Sequence, residues 1–200
     1  MKAIVVAAIL GITSGQAVAE AFGYFDIKPA QPTSSGNKIE VVEMFWYGCP
    51  HCNQFEPFIN SWKKRQQADV AFKRIPAIFN ARWELHARAY FTAEVLGVLD
   101  KVHTPMFDAI HKQKKTLATQ AALAELFARH GVDKSQFNRS FRSFAVNSKV
   151  NWAKKLTKSY QIDGVPTMVV AGKYRTSASL AGGHQQVLNV VDDLVKQERR

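Results

Sequence analysis

The chain of 200 residues contains only two cysteines, which stand close together in the segment Cys49-Pro50-His51-Cys52. Two cysteines cannot build a scaffold of several disulfides. By themselves they also cannot supply the four thiolates of a structural zinc site or of an iron–sulfur cluster. Any chemistry that these cysteines carry out must therefore belong to them as a pair.

The composition is that of a globular chain, with 46% apolar and 22% charged residues. It indicates neither a disordered chain nor a membrane-embedded one. The length fits one domain, or one domain with an insertion. The formal net charge is +11.

The first nineteen residues have the organisation of a secretory signal. Lys2 supplies a positive charge, residues 3–12 are apolar, and Ala17 and Ala19 are small residues where a signal peptidase reads them. We predict cleavage after Ala19. The apolar stretch falls short of the roughly 20 residues that span a bilayer. Export would place the cysteines in an oxidising compartment, where a close pair is expected to form a disulfide.

A β–α–β pattern surrounds the cysteines. Residues 39–47 form a β-branched and aromatic run, typical of a strand buried on both faces. Gly48 breaks this run, and Pro50 suits the first position of a helix. A second strand is predicted at residues 70–75. The helix between the strands contains Pro57, which is expected to kink it, and its apolar face comprises Phe55, Phe58, Ile59 and Trp62.

The rest of the chain indicates a helical block followed by a β–β–α unit. Residues 80–160 are mainly helical in pattern, and Phe137, Phe141 and Phe144 are expected to pack in the core. Strands are predicted at residues 167–171 and 174–176, with a final helix after Gly182-Gly183. This order predicts one α/β domain that carries an inserted helical block.

The cysteine pair at the start of a helix is a redox motif. The first sulfur, that of Cys49, lies near the free amides of the helix N-terminus, which stabilise negative charge. Since the thiolate is the reactive form, this position favours attack at Cys49. His51 favours the reduced thiolate further, and a stabilised reduced form makes the disulfide a stronger oxidant. Zinc is the competing interpretation, but the other histidines are scattered and supply no close pair of ligands.

Glu43 is an unusual residue in a buried strand, because an unpaired carboxylate there costs several kcal/mol or stays protonated. One hypothesis is that Glu43 relays a proton to or from Cys52, the more buried thiol. The alternative is that it faces a solvated edge or pairs with Lys73 or Arg74 on the next strand.

These motifs together resemble the DsbA family of thiol:disulfide oxidoreductases, which are periplasmic proteins with a thioredoxin fold. The resemblance extends over residues 20–200 and depends on the export signal, the CPHC segment before a helix, the central helical block and Gly164-Val165-Pro166-Thr167. It implies a thioredoxin-like domain formed by residues 20–79 and 161–200, with an inserted helical domain at residues 80–160.

The resemblance also implies roles for individual residues. Cys49 would be the nucleophile and Cys52 the resolving thiol. Pro50 and His51 would tune the potential, and Glu43 would be the buried acid. Val165 and Pro166 would face the cysteines and bind substrate, with a cis peptide bond between them.

The implied function is a periplasmic oxidase that donates its Cys49–Cys52 disulfide to reduced, newly exported proteins. The only redox group would be this disulfide, without a cofactor or metal. A membrane quinone-linked oxidase of the DsbB type would reoxidise the protein, and a monomer is expected. The chain departs from some family members in lacking a further structural disulfide and in being more basic.

Two alternatives to this interpretation stay open. One is a periplasmic thioredoxin-like reductase or isomerase, and the other is a binding module or chaperone whose cysteine pair is only a staple. The basic segments predict solvated helix faces, and export argues against nucleic acid as a partner. Attraction to anionic membranes or acidic substrates stays open.

Overall fold

The computed structural model describes residues 23–200, so the predicted signal and its cleavage site lie outside the described residues. The described residues form one five-stranded sheet, in which the strands have the order β1-β5-β4-β2-β3. Only β2 and β3 are parallel, and the other neighbours are antiparallel. The strands are β1 (Phe25–Asp26), β2 (Ile39–Phe45), β3 (Val70–Pro76), β4 (Thr167–Val170) and β5 (Tyr174–Ser177).

Strand β2 lies inside the sheet, and every residue after Ile39 in it is buried. This burial matches its β-branched and aromatic sequence. The strand ends at Phe45, two residues earlier than predicted. The reason is a turn in which the Cys49 amide donates to the Trp46 carbonyl oxygen at 3.0 Å, which leads the chain out of the sheet and into the next helix.

Eight helices accompany the sheet within the described part of the chain, and none of them is both long and apolar enough to cross a membrane. They are α1 (Pro50–Lys64), α2 (Ala81–Val95), α3 (Leu99–His111), α4 (Gln120–Arg129), α5 (Lys134–Phe141), α6 (Phe144–Ser159), α7 (Ala178–Ala181) and α8 (His184–Glu198).

The two faces of the sheet bury different helices. Because side chains alternate along a strand, Val41 packs with α1 and α8, whereas Val42 and Met44 pack with the helical segment α2–α6. This segment leaves the sheet after β3 and returns at β4. The arrangement is the predicted α/β thioredoxin fold with inserted helices. The exact domain boundaries, at residues 79/80 and 160/161, stay predictions.

One aromatic residue was wrongly expected in the core. Phe144 is 86% exposed, because α5 ends at Phe141 and a new helix begins at Phe144 behind the cap formed by Ser143. The regular spacing of the three phenylalanines therefore does not continue one helix face. Phe58 is 38% exposed and lies at the rim of α1, against the ring of His184.

Candidate active site

Cys49 is the N-cap of α1, and Pro50 is the first helical residue. The Cys52 amide donates to Cys49 Sγ at 3.4 Å, in the way that a capping side chain satisfies a free N–H of the first turn. Pro50 suits this position because it has no amide of its own to satisfy. The local sequence therefore holds the first sulfur at the positive end of the helix.

The environment of Cys49 favours its thiolate. A hydrogen bond with the Cys52 thiol is the largest influence, and together with the amides of Cys52 and His51 and the charge of His51 it outweighs burial. These contacts lower the pKa of Cys49 from 9.0 to about 6. A thiol with such a pKa is ionised at neutral pH, which makes it both a nucleophile and a good leaving group.

Cys52 lies one turn further into α1 and is completely buried. Burial raises the pKa of its thiol well above 9.0, and the hydrogen bond and charge of Cys49 and the charge of Glu43 act in the same direction. Cys49 retains an exposure of 8%. The pair is therefore asymmetric. The Cys49 thiol is acidic and slightly exposed to solvent, whereas the Cys52 thiol is protonated and buried.

The loop before β4 faces the cysteines. Cys49 Sγ lies 3.3 Å from the Val165 carbonyl oxygen and donates to it when the thiol is protonated, and the Val165–Pro166 peptide bond is cis, as the resemblance implied. Thr167 Oγ1 donates to the Gly164 carbonyl oxygen at 2.8 Å and closes this loop. The structure thus brings together residues that are more than a hundred positions apart in sequence.

Glu43 is also completely buried, so a solvated edge is not its environment. Of its two candidate partners, Arg74 is the correct one: its Nε donates to Glu43 Oε2 at 2.9 Å. Lys73 pairs with Glu40 instead, at 2.7 Å. Burial raises the pKa of Glu43 to about 7 against the opposing charge of Arg74. A carboxyl group with this pKa can give or take a proton at neutral pH.

A chain of hydrogen bonds and ion pairs continues from Glu43 and Arg74, and it was not predicted. Arg74 Nη2 contacts Glu56 Oε1 at 3.0 Å, and His103 Nε2 lies 3.3 Å from the same oxygen. His103 Nδ1 lies 2.9 Å from the Tyr47 hydroxyl. The position of Glu56, one helical turn after Cys52, is a signal that could have indicated it. His103 gives no such signal, because it belongs to a distant helix.

Trp46 lies in the turn of residues 46–49 that leads from β2 into α1, which we call the active-site turn. It forms a second contact between this turn and the helical segment. Its ring stacks on that of Trp83 with centroids 4.3 Å apart and an interplanar angle of 9°. A Cβ at Gly48 would come within 2.3 Å of the Trp46 ring, so the residue before Cys49 must be glycine for this stack to persist. In residues 23–200, no cluster of three histidine, cysteine or acidic side chains could hold a metal ion.

A thioredoxin fold with a helix-capping Cys-x-x-Cys pair, faced by a cis-proline loop, defines a thiol:disulfide oxidoreductase that works through its own cysteines. The sequence profile of the DSBA-like thioredoxin domain matches residues 59–194. The chain belongs to the DsbA family.

Relatives of known name agree with this assignment. The thiol:disulfide interchange protein DsbA of Azotobacter vinelandii is 51% identical over 176 residues, which cover 88% of this chain and 82% of that protein. The protein of the same name from Pseudomonas aeruginosa is 47% identical, with coverages of 88% and 83%.

Solved structures agree with the fold. The crystal structure of Pseudomonas aeruginosa DsbA superposes with a TM-score of 0.85 at 46% identity, covering 88% of this chain and 92% of that one. The oxidoreductase DsbA from Xylella fastidiosa gives a TM-score of 0.84 at 35% identity, with coverages of 88% and 95%.

Proposed function

We propose that this protein is an exported oxidase that passes the Cys49–Cys52 disulfide to reduced proteins as they fold. The observation that carries the proposal is the stabilised Cys49 thiolate, with its pKa of about 6. Stabilising the reduced form makes the oxidised form a stronger oxidant. The same property disfavours the alternative of a strongly reducing thioredoxin-like protein.

The reaction moves two electrons from the substrate to the protein. A substrate thiolate attacks Cys49 Sγ, which forms a mixed disulfide and breaks the bond to Cys52 Sγ. Cys52 leaves as a thiolate and takes up a proton. A second substrate thiolate then attacks the substrate sulfur of the mixed disulfide and expels Cys49 as its stable thiolate. The substrate gains a disulfide, and the protein is left with two reduced cysteines.

Glu43 is proposed to supply the proton that Cys52 requires. The buried Cys52 thiolate is unfavourable, and the negative charge of an ionised Glu43 makes it more so. A Glu43 carboxyl that is protonated near pH 7 can neutralise the leaving sulfur, and the resulting carboxylate stays paired with Arg74 at 2.9 Å. In the reverse direction, the carboxylate would accept the proton.

Val165 and Pro166 are proposed to bind the substrate chain. Val165 contacts Cys49 directly through its carbonyl oxygen. An extended peptide beside this loop could pair with the backbone of Val165 as an added strand does, which would place a substrate cysteine near Cys49.

The location and the remaining partners are also proposals. The signal pattern of residues 1–19 supports export to the periplasm with cleavage after Ala19. The family supports reoxidation by a membrane quinone-linked oxidase of the DsbB type, and we propose that the protein acts as a monomer. Mass measurement of protein from a periplasmic fraction should give a chain that begins at Glu20.

Trapping of the mixed disulfide tests the proposed reaction. The Cys52→Ser variant keeps Cys49 but lacks the resolving thiol. When its Cys49 is first loaded as a mixed disulfide with thionitrobenzoate, reduced, unfolded, thiol-containing proteins should displace that leaving group and accumulate as covalent adducts. These adducts should be visible on non-reducing gels and disappear with reductant. The matched Cys49→Ser variant should form none. Equal trapping by both variants would contradict the assignment of Cys49 as the sulfur that forms the mixed disulfide.

A further inference from the structure

His103 on α3 is a buried residue that the proposed reaction does not use. It is 7% exposed, and its ring packs against those of Phe45 and Phe107 at 5.5 and 5.3 Å. Both ring nitrogens have polar partners: Nδ1 lies 2.9 Å from the Tyr47 hydroxyl and Nε2 lies 3.3 Å from Glu56 Oε1. A ring with both edges satisfied is held in one orientation.

The partners of His103 determine its protonation. Burial lowers the pKa of His103, which keeps the ring neutral. A carboxylate can only accept a hydrogen bond, so Nε2 must carry the proton that faces Glu56. Nδ1 then accepts from the Tyr47 hydroxyl. Burial would raise the pKa of Glu56, but the His103 hydrogen bond and the charge of Arg74 lower it below 4.5. Glu56 is therefore ionised.

Arg74 is shared between two carboxyl groups. Its Nη2 contacts Glu56 at 3.0 Å, while its Nε contacts Glu43 at 2.9 Å. Glu43 Oε1 has no hydrogen-bond partner among the residues that the structure describes. The stabilisation that Arg74 gives to the Glu43 carboxylate therefore depends on whether Glu56 beside it is also negative.

We propose that His103 is a positioning residue that holds Glu56 in its ionised form against Arg74, and so keeps Glu43 able to exchange a proton near neutral pH. This inference rests on the proposed relay role of Glu43. The other titratable groups that face this cluster are Cys52 from α1, Tyr47 from the active-site turn, Tyr90 from α2 and Asp100 from α3 itself. None of these donates to Glu56 in the structure.

Removing the imidazole donor should move the two carboxyl groups in opposite directions. Without His103 Nε2–H, Glu56 binds a proton more readily, and its pKa rises. Arg74 then serves Glu43 as its main charged partner, so the Glu43 carboxylate is stabilised and its pKa falls. The proton that Cys52 requires would then be present on Glu43 only at lower pH.

A carboxyl titration of the full reduced protein tests this coupling. Carbon-13 NMR of labelled glutamates should show the Glu43 midpoint falling by about one pH unit in His103→Phe, with a rise at Glu56. The phenyl ring suits the surrounding aromatic cluster but cannot donate. His103→Gln, whose amide can still donate to Glu56, should restore most of the original midpoint of Glu43.

A double-mutant cycle separates positioning from general disruption. In Glu56→Gln the second charge is already absent, so Glu43 should titrate low, and adding His103→Phe should change its midpoint no further. If His103→Phe does not fold, His103→Leu replaces it in the cycle, since its side chain also lacks a donor and should lower the Glu43 midpoint as well.

Two results would overturn the inference. One is an unchanged Glu43 midpoint when the donor is lost, and the other is an equal shift with and without the Glu56 charge. The relay itself is judged separately by the kinetics of Glu43→Gln. Normal kinetics in that variant would reject the relay, while the NMR midpoints would still show whether His103 acts through Glu56.

Discussion

At the scale of single residues, the pKa values of the two cysteine thiols differ because the cysteines lie one helical turn apart in different environments. Cys49 receives the amides of the α1 N-terminus, whereas Cys52 is completely buried in the hydrophobic core. The same side chain therefore becomes a stable thiolate in one position and a protonated thiol in the other. This difference gives the pair its direction of reaction, since Cys49 leaves as a stable thiolate, whereas Cys52 must take up a proton when it leaves.

Cys49 should contribute more to the stability of the reduced protein as the pH rises. The pKa of this thiol is lower in the folded protein than in the unfolded chain. Its stabilising contribution is therefore complete above the unfolded value of about 9 and is lost as the pH falls through about 6. Between these limits each pH unit adds about 1.4 kcal/mol.

Urea unfolding of the reduced protein and of reduced Cys49→Ser measures this contribution. The difference in the free energy of unfolding between the two proteins should grow steadily from pH 6 to pH 8. Parallel curves over this interval would show that the folded protein does not favour the Cys49 thiolate.

Replacing Glu43 should slow the proton-dependent step. In Glu43→Gln the amide cannot supply a proton to the Cys52 thiolate, so oxidation of a dithiol peptide should slow about 10²-fold or more at pH 7. The ultraviolet thiolate titration of Cys49 should keep its midpoint near 6. The matched control is Glu40→Gln, which changes a buried acid of the same strand that pairs with Lys73. Equal rates in the two variants would reject the relay.

The sequence predicted the residues of the site that act locally, but not their distant partners. The helix N-terminus and Cys-x-x-Cys spacing are local features, so Cys49, Cys52 and Pro50 could be placed directly. The partner of Glu43 depends on strand register, since neighbouring residues point to opposite faces. The observed register pairs Arg74 with Glu43. The contact of His103 depends on tertiary packing, which has no local signal.

At the scale of elements, the sheet places the loop before β4 against the start of α1. β4 runs antiparallel to β2, with Met168 opposite Glu43. Since α1 begins shortly after β2 ends, the start of β4 lies beside Cys49. The order of these elements could be predicted because strands and helices differ in their hydrophobic period. The pairing of β4 with β2 instead depended on the family resemblance.

Boundaries inside the helical segment were harder to predict. Phe137 and Phe141 share a helix, but Phe144 begins another one behind the Ser143 cap. A serine beside a regular aromatic spacing does not by itself show that a helix ends there. The tertiary structure selects the break, because it buries Phe137 and leaves Phe144 at the surface.

Gly172 in the turn between β4 and β5 should not tolerate a side chain. It has a φ of +64°, and a Cβ would lie 2.2 Å from the Gln31 carbonyl oxygen. Gly172→Ala should therefore lower the free energy of unfolding by more than the roughly 1–2 kcal/mol of a left-handed backbone alone. Gly36, with a φ of +60° and open space around its Cβ position, provides the matched control.

Urea unfolding of both alanine variants gives the comparison. Gly36→Ala reports the backbone cost, and the additional loss in Gly172→Ala reports the contact with Gln31, in the segment between β1 and β2. Equal losses in the two variants would mean that this segment does not pack against the turn.

At the scale of the whole molecule, the inserted helices take part in forming the active-site environment. Trp83 stacks on Trp46, His103 contacts Tyr47, and His111 Nε2 lies 2.8 Å from the Tyr47 carbonyl oxygen. All three come from the helical segment and reach the turn that leads to Cys49. The net charge of +11 has no part in these contacts, so the mechanism depends on the local environment of the cysteines rather than on the overall charge.

The equilibrium between the protein and glutathione tests the central claim most directly. The claim is that a stabilised Cys49 thiolate makes the Cys49–Cys52 disulfide an oxidant. The fraction of reduced protein, measured over a series of glutathione ratios at pH 7, should give a potential more positive than about −200 mV. A potential close to the value of about −270 mV that is typical of thioredoxin would contradict the claim.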